Sequence, residues 1–222
     1  MVGRIRLASA SSRRIDWLSK HIDKSVVIEA KPLVGQEKST EGEVSSQVAF
    51  VLDDKISRAC MQQFLEKQNS HENDSLSPPE IWVVADTLVE DPNDIYSALG
   101  QPDDEISALR MLLDLSGRRH LVWSGTAIID FRSPEPRIFR FIESSVVEFE
   151  LLNESVLDEL ISSGSWKGKA GGYDMAGLAQ SVSKLIEGEL VTVLGFANKA
   201  IQELDQVIRH SSDLNSYGSN GS

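Results

Sequence analysis

The run Ile81-Trp82-Val83-Val84-Ala85-Asp86-Thr87-Leu88-Val89 constrains this chain more than any other segment. Its apolar residues predict a buried strand, yet a carboxylate stands inside it. Burying a carboxylate is costly unless a cation or hydrogen-bond donors hold it. The fold must therefore bring a partner to Asp86, or the strand must end near it, at the edge where open α/β sheets place their ligands. A cap or a structural salt bridge would also satisfy this demand.

A candidate cation lies upstream. Ser45 to Phe64 predicts a helix, with Val48, Leu52, Ile56, Ala59 and Cys60 in a stripe of helical period. At ~100° per residue, with Val48 at zero, Lys55 falls near −20°, inside the stripe. An ammonium there meets an anion or snorkels past its neighbours to water. The N-terminal segment offers a second polar centre. A short strand over Ile5–Ala8 leads through Ser9-Ala10-Ser11-Ser12 into a helix with Ile15, Leu18 and Ile22 on one side, and Ser11 or Ser12 is its N-cap. Free N–H groups, two hydroxyls and the guanidiniums of Arg13 and Arg14 suit phosphate oxygens. A Ser cap followed by two solvated arginines reads the same way.

The remaining elements alternate. Lys31–Glu43 reads as loop, Glu66–Pro79 as a polar surface excursion and Glu90–Gln101 as loop. Pro102-Asp103-Asp104-Glu105 starts a helix whose apolar face is Ile106, Leu109, Leu112 and Leu113, stopped by Gly117. Strands follow over His120–Phe131 and Arg137–Glu150, then a helix capped by Asn153 and ending at Gly164. An apolar run from Val182 to Leu194 breaks at Gly188, and a last helix spans Ala197–Arg209. This alternation predicts an α/β fold, a single domain over residues 1–210 with a disordered Ser/Asn/Gly-rich tail over 211–222.

Composition excludes several classes of function. A net charge of −12 argues against a nucleic-acid or membrane-surface binder. The single cysteine, Cys60, excludes an intrachain disulfide and reads as core, and four dispersed histidines exclude a standard zinc site. His120, at a strand start, reads as structural. No apolar run approaches the ~18 residues of a membrane helix, and the charged N-terminus does not resemble a signal peptide, so a soluble cytoplasmic protein is expected. Lys169-Ala170-Gly171-Gly172-Tyr173 adds a turn at which a ligand can approach the backbone closely.

Taken in order, these pieces resemble the Maf family of nucleoside-triphosphate pyrophosphatases, relatives of the inosine-triphosphate pyrophosphatases. The resemblance is carried by Leu7–Arg14, Ala85-Asp86-Thr87, Leu99-Gly100-Gln101-Pro102, Leu115-Ser116-Gly117-Arg118 with His120, Lys169–Tyr173 and Ile186-Glu187-Gly188. It implies an elongated mixed sheet with flanking helices and two lobes around a central cleft, and it admits a homodimer. It implies hydrolysis of a nucleoside triphosphate to monophosphate and pyrophosphate with a divalent cation, Mg²⁺ or Mn²⁺.

By the same resemblance Asp86 activates water and, with Glu37, holds the metal, although Glu41 and Glu43 are alternatives to Glu37 in so loose a loop. Lys55 completes the catalytic set, and Ser9, Ser11, Arg13 and Arg14 contact phosphates. Arg13 and Thr87 match the members acting on dTTP and UTP. The third specificity position falls on Ala176, where those members carry glutamine, and Gln101 replaces a usual lysine. Lys169 belongs to the substrate-binding set. The departures at Ala176 and Gln101 leave two other readings open: a non-catalytic nucleotide-binding regulator of cell division, and a purine-specific enzyme.

Overall fold

The computed structural model describes residues 3–69 and 77–216, with residues 210–216 described by backbone alone. The elements in order are β1 (Arg4–Leu7), α1 (Ser12–His21), β2 (Val27–Ala30), α2 (Val44–Asn69), β3 (Ile81–Asp91), β4 (Asp94–Leu99), α3 (Glu105–Leu115), β5 (Arg119–Asp130), β6 (Arg137–Phe149) and α4 (Glu154–Ser162). Single 3₁₀ turns at Ala170–Gly172 and Leu178–Ser181 then lead to β7 (Ser183–Glu187), α5 (Leu190–Leu194) and α6 (Asn198–Ser216).

The strands form one open, twisted seven-stranded sheet in the order β2-β1-β3-β5-β6-β7, with β4 also paired to β3. β1 runs parallel to both β2 and β3, and the pairs from β3 through β5 and β6 to β7 are antiparallel. The expected mixed α/β architecture is therefore present.

β3 is covered on both faces, which explains its apolar sequence. Trp82 and Val84 pack with Leu52, Ile56 and Ala59 of α2. Val83 and Ala85, on the opposite face by strand alternation, pack with Leu18 of α1 and with Phe196, Ala200 and Leu204. A third cluster joins Val122, Val147 and Phe149 of β5 and β6 to Leu112, Leu115, Leu160 and Tyr173.

Several expectations need correction. β4 lies inside the segment read as loop. Its Ile95 and Tyr96 are exposed and its register with β3 shifts between Glu90 and Asp91, so it carries little of the alternation that marks a half-buried strand. β2 is likewise a short edge strand without a clear pattern. The helix α2 continues to Asn69, so the polar excursion begins later than its composition suggests, and its residues 70–76 lie outside the described ones. The backbone of α6 is helical to Ser216, and residues 217–222 lie outside the described ones.

The face of α3 is also turned. Leu112 is buried as expected, but with Ala108 and Leu115, while Ile106 is 78% exposed and Leu113 53%. The small Ala108 side packs against the Gly-rich turn, where a Cβ on Gly172 would stand 3.5 Å from the Ala108 carbonyl oxygen. The buried face of α3 is thus Ala108, Leu112 and Leu115, the two leucines packing in the cluster with Val122 and Phe149.

Candidate active site

A gap in strand pairing creates the site. On one edge β3 pairs with β5 without interruption from Ile81 to Val89. On the other edge it pairs with β1 at Ile81–Val83 and with β4 from Val89 onward, leaving Val84–Leu88 without a strand partner. β1 stops because the chain turns away. The Ala8 N–H donates to the Val83 carbonyl at 2.8 Å, and Ser9-Ala10-Ser11 then leads into α1, with Ser11 as N-cap. A cleft of about 700 Å³ opens at this gap. Among its lining residues are Ser9, Ser11, Arg13, Arg14, Glu37, Lys55, Asp86, Thr87 and Gln101.

Asp86 and Thr87 are consecutive, so they point to opposite faces of the sheet. Asp86 faces α2. Lys55 Nζ donates to Asp86 Oδ1 at 2.6 Å, lies 3.2 Å from Glu37 Oε1 and reaches the Ala85 carbonyl at 3.4 Å. The lysine in the apolar stripe thus meets two anions, and snorkelling does not describe it. Glu37 is the loop glutamate that reaches it; Glu41 and Glu43 are not among the lining residues. Asp86 is 7% exposed, and its Oδ2 is buried without a hydrogen-bond partner among the described residues.

The opposite face holds Arg14. Its Nε donates to the Gly195 carbonyl at 3.0 Å, Nη2 to Thr87 Oγ1 at 2.8 Å, and Nη1 to the Ala85 carbonyl at 3.2 Å and Ser9 Oγ at 3.4 Å. Thr87 Oγ1 is 2.9 Å from Ser124 Oγ, which donates to the Thr192 carbonyl at 2.7 Å. Burial pulls the pKa of Arg14 down to about 10, and the nearby Asp86 works against that. Arg14 therefore remains charged at neutral pH and cross-links the unpaired stretch of β3 to the N-terminal loop and the end of α5. A Cβ on Gly195 would stand 2.7 Å from Arg14 Nε, and the glycine has φ +113°, so this close approach requires glycine on both counts.

The far rim is built from the Gly-rich turn. Gly171 N–H donates to the Gly100 carbonyl at 3.0 Å, tying this turn to the loop that carries Gln101. Lys169 and Ala176 are not among the lining residues, although Gly168 and Ala170 are. Lys169 Nζ lies 3.6 Å from Asp174 Oδ2, and Ala176 is exposed, with its N–H donating to Asp174 Oδ1 at 3.1 Å. His120 is buried, its Nε2 is 2.8 Å from the Tyr173 hydroxyl, and burial lowers its pKa to about 4, in keeping with a structural role.

Sequence reasoning did not find Asp174, Arg58 or Gly125. Asp174 follows the glycine pair directly, and its charge next to Lys169 was the available signal. Arg58 lines the cleft one turn after Lys55 and donates to the Gly35 carbonyl at 3.2 Å. Gly125 pairs with Asp86 across the sheet, and a Cβ there would come within 2.9 Å of Val48 Cγ1. Its lack of a side chain lets α2 approach β3 closely enough for Lys55 to reach Asp86.

Comparison with known proteins agrees with this architecture. A family model described as "Maf-like protein" matches residues 4–207. A human protein named "Probable bifunctional dTTP/UTP pyrophosphatase/methyltransferase protein" is 32% identical over 197 residues, which are 87% of this chain and 30% of that protein. This chain thus spans less than a third of the human protein's length. A dTTP/UTP pyrophosphatase of Agathobacter rectalis is 34% identical over 87% of this chain and 92% of its own length. Another, of Pyrococcus horikoshii, is 30% identical over 91% of this chain and 96% of its own length.

Proposed function

The chain belongs to the Maf-like protein family, and from that membership and the geometry of the cleft we propose that it hydrolyses dTTP and UTP to the nucleoside monophosphate and pyrophosphate. The observation that carries the reading is the contact of Lys55 with both Asp86 and Glu37 at the stretch of β3 that β1 and β4 leave open, in a cleft that Ser9, Ser11 and Arg13 also line. A triphosphate brings several negative charges, and the cleft supplies Arg13, Lys55, Arg58 and the free N–H groups of α1 to meet them.

Asp86 takes the proton of the attacking water. Oxygen of that water bonds to the α-phosphorus, the bond from the α-phosphorus to the bridging oxygen breaks, and pyrophosphate leaves with the electron pair. Asp86 suits this role because Lys55 occupies only Oδ1, so the carboxylate has acceptor capacity left at Oδ2. Lys55 fixes the position of the carboxylate through Oδ1 and stabilises charge that develops on the phosphates. Arg14 acts by holding Ala85 and Thr87, the neighbours of Asp86, in place.

The donor set fits a divalent cation. Asp86 has an unpartnered carboxylate oxygen and Glu37 is a half-exposed carboxylate at the same lysine. Mg²⁺ takes one or two carboxylates and fills its shell with water and substrate phosphates, so no larger cluster is needed, and among the described residues no group of three candidate ligands occurs. Asp86 and Glu37 would hold Mg²⁺ or Mn²⁺, which supplies charge neutralisation at the phosphates when bound. Among the described residues no helix is long and apolar enough to cross a membrane.

The test is pyrophosphate release from a panel of pyrimidine and purine triphosphates with Mg²⁺. Release from dTTP and UTP, at least tenfold above the purines (about 1.4 kcal/mol of discrimination), is expected. No release from any nucleotide would overturn the reading.

A further inference from the structure

Arg13 and Arg14 are adjacent but spend their charge differently. Arg14 donates to four acceptors. The Arg13 side chain, 12% exposed, makes no hydrogen bond among the described residues, and its Nε is buried without a partner. Its nearest anion is Asp174, with Nη1 4.0 Å from Oδ1. The other oxygen of the same carboxylate is 3.6 Å from Lys169 Nζ. Both separations are longer than a hydrogen bond, so Asp174 attracts the two cations without consuming their N–H donors.

The carboxylate is itself fixed. Its Oδ1 accepts the Ala176 N–H at 3.1 Å, and it follows Tyr173, which is buried and bonded to His120. Arg13 belongs to α1, and Lys169 and Asp174 belong to the Gly-rich segment, so this contact joins the N-terminal helix to that segment. Burial lowers the pKa of Arg13, and Asp174 offsets part of that cost of keeping a charge there.

We propose that Asp174 is a positioning residue for substrate binding, which holds the cleft-lining Arg13 guanidinium and the neighbouring Lys169 ammonium with their donors free for the oxygens of a nucleoside triphosphate. The inference rests on the pyrophosphatase reading for its substrate. It assigns to Asp174 an effect exerted through Arg13 and Lys169, with no contact to the reacting atoms.

Steady-state kinetics with UTP and Mg²⁺ test it on the full chain. Asp174→Asn is expected to raise KM about tenfold while kcat stays within about twofold, and Asp174→Glu to recover most of the loss. In an Arg13→Ala background the same Asp174→Asn change is expected to raise KM by less than about threefold, because coupled residues are not additive. An unchanged KM in Asp174→Asn, or a rise undiminished in the Arg13→Ala background, would overturn the proposal. Should Asp174→Asn fail to fold, Asp174→Ser keeps an acceptor for the Ala176 N–H and carries the same comparison. If the wild type releases no pyrophosphate from any triphosphate, the pyrophosphatase reading fails by itself. Calorimetric Kd values for UTP then decide on Asp174, with about tenfold weaker binding in Asp174→Asn expected and equal binding contradicting it.

Discussion

Lys55 Nζ and Asp86 Oδ1 lie 2.6 Å apart although 31 residues separate them in sequence. The contact joins a helix stripe to a strand interior. Each residue alone would violate the burial rule of its own element; together, with Glu37 at 3.2 Å from the same ammonium, they satisfy it. A charge pair held out of bulk water acts on phosphate more strongly than an exposed one.

Replacing Asp86 by asparagine keeps the shape and removes the proposed proton acceptor. Asp86→Asn is expected to lower kcat for UTP by ~10²–10⁴-fold, the usual worth of a general base. Pyrophosphate release measured beside a circular dichroism spectrum separates this loss from unfolding; an unaltered kcat would remove Asp86 from the chemistry.

Gly125 sets the distance between α2 and β3. A methyl group there would stand 2.9 Å from Val48 Cγ1 and 3.3 Å from Leu52 Cδ2. Gly125→Ala is expected to destabilise the fold by ~1–3 kcal/mol through overpacking and, by moving α2, to lower kcat as well. Urea denaturation and UTP turnover on the same preparation check both effects.

Arg14→Lys keeps the charge and loses the fork. One ammonium cannot reach the carbonyls of Ala85 and Gly195, Thr87 Oγ1 and Ser9 Oγ together. Each buried acceptor left alone costs ~1–3 kcal/mol, so a clear fall in denaturation midpoint is expected together with reduced kcat. A fully stable and active variant would show that the cross-link to β3 is dispensable.

His120 gives the fold a pH dependence of defined sign. Its pKa drops from 6.5 to about 4 because burial disfavours the charged ring. Above the unfolded value the group contributes nothing to the slope. As pH falls from 6.5 toward 4 the unfolded chain takes up a proton that the folded chain refuses, and stability declines by up to roughly 3 kcal/mol. Denaturation midpoints measured across this window are expected to fall in the wild type and to fall less in His120→Gln.

Much of the site could be read from sequence because its residues break local rules. Lys55 stood in an apolar stripe and Asp86 in an apolar strand, while Ser11 followed the N-cap preference at a helix start, and the fold brings all three to one cleft. What could not be read depends on distance between elements. Nothing local marks Gly125 as the point where α2 touches the sheet, and nothing local sets Asp174 opposite Arg13. β4 escaped for another reason: an exposed edge strand buries too little for its side chains to alternate. On α3, Ala108, Leu112 and Leu115 form the buried face, and Ile106 and Leu113 stay in water although their apolar character reads the same in sequence.

The proposed reaction turns on water attacking the α-phosphorus beside Asp86. A single turnover of UTP in ¹⁸O-labelled water, with the products resolved by mass spectrometry, reads that event directly. The label is expected in the nucleoside monophosphate, with unlabelled pyrophosphate. Label in pyrophosphate, or formation of the diphosphate and inorganic phosphate, would contradict it.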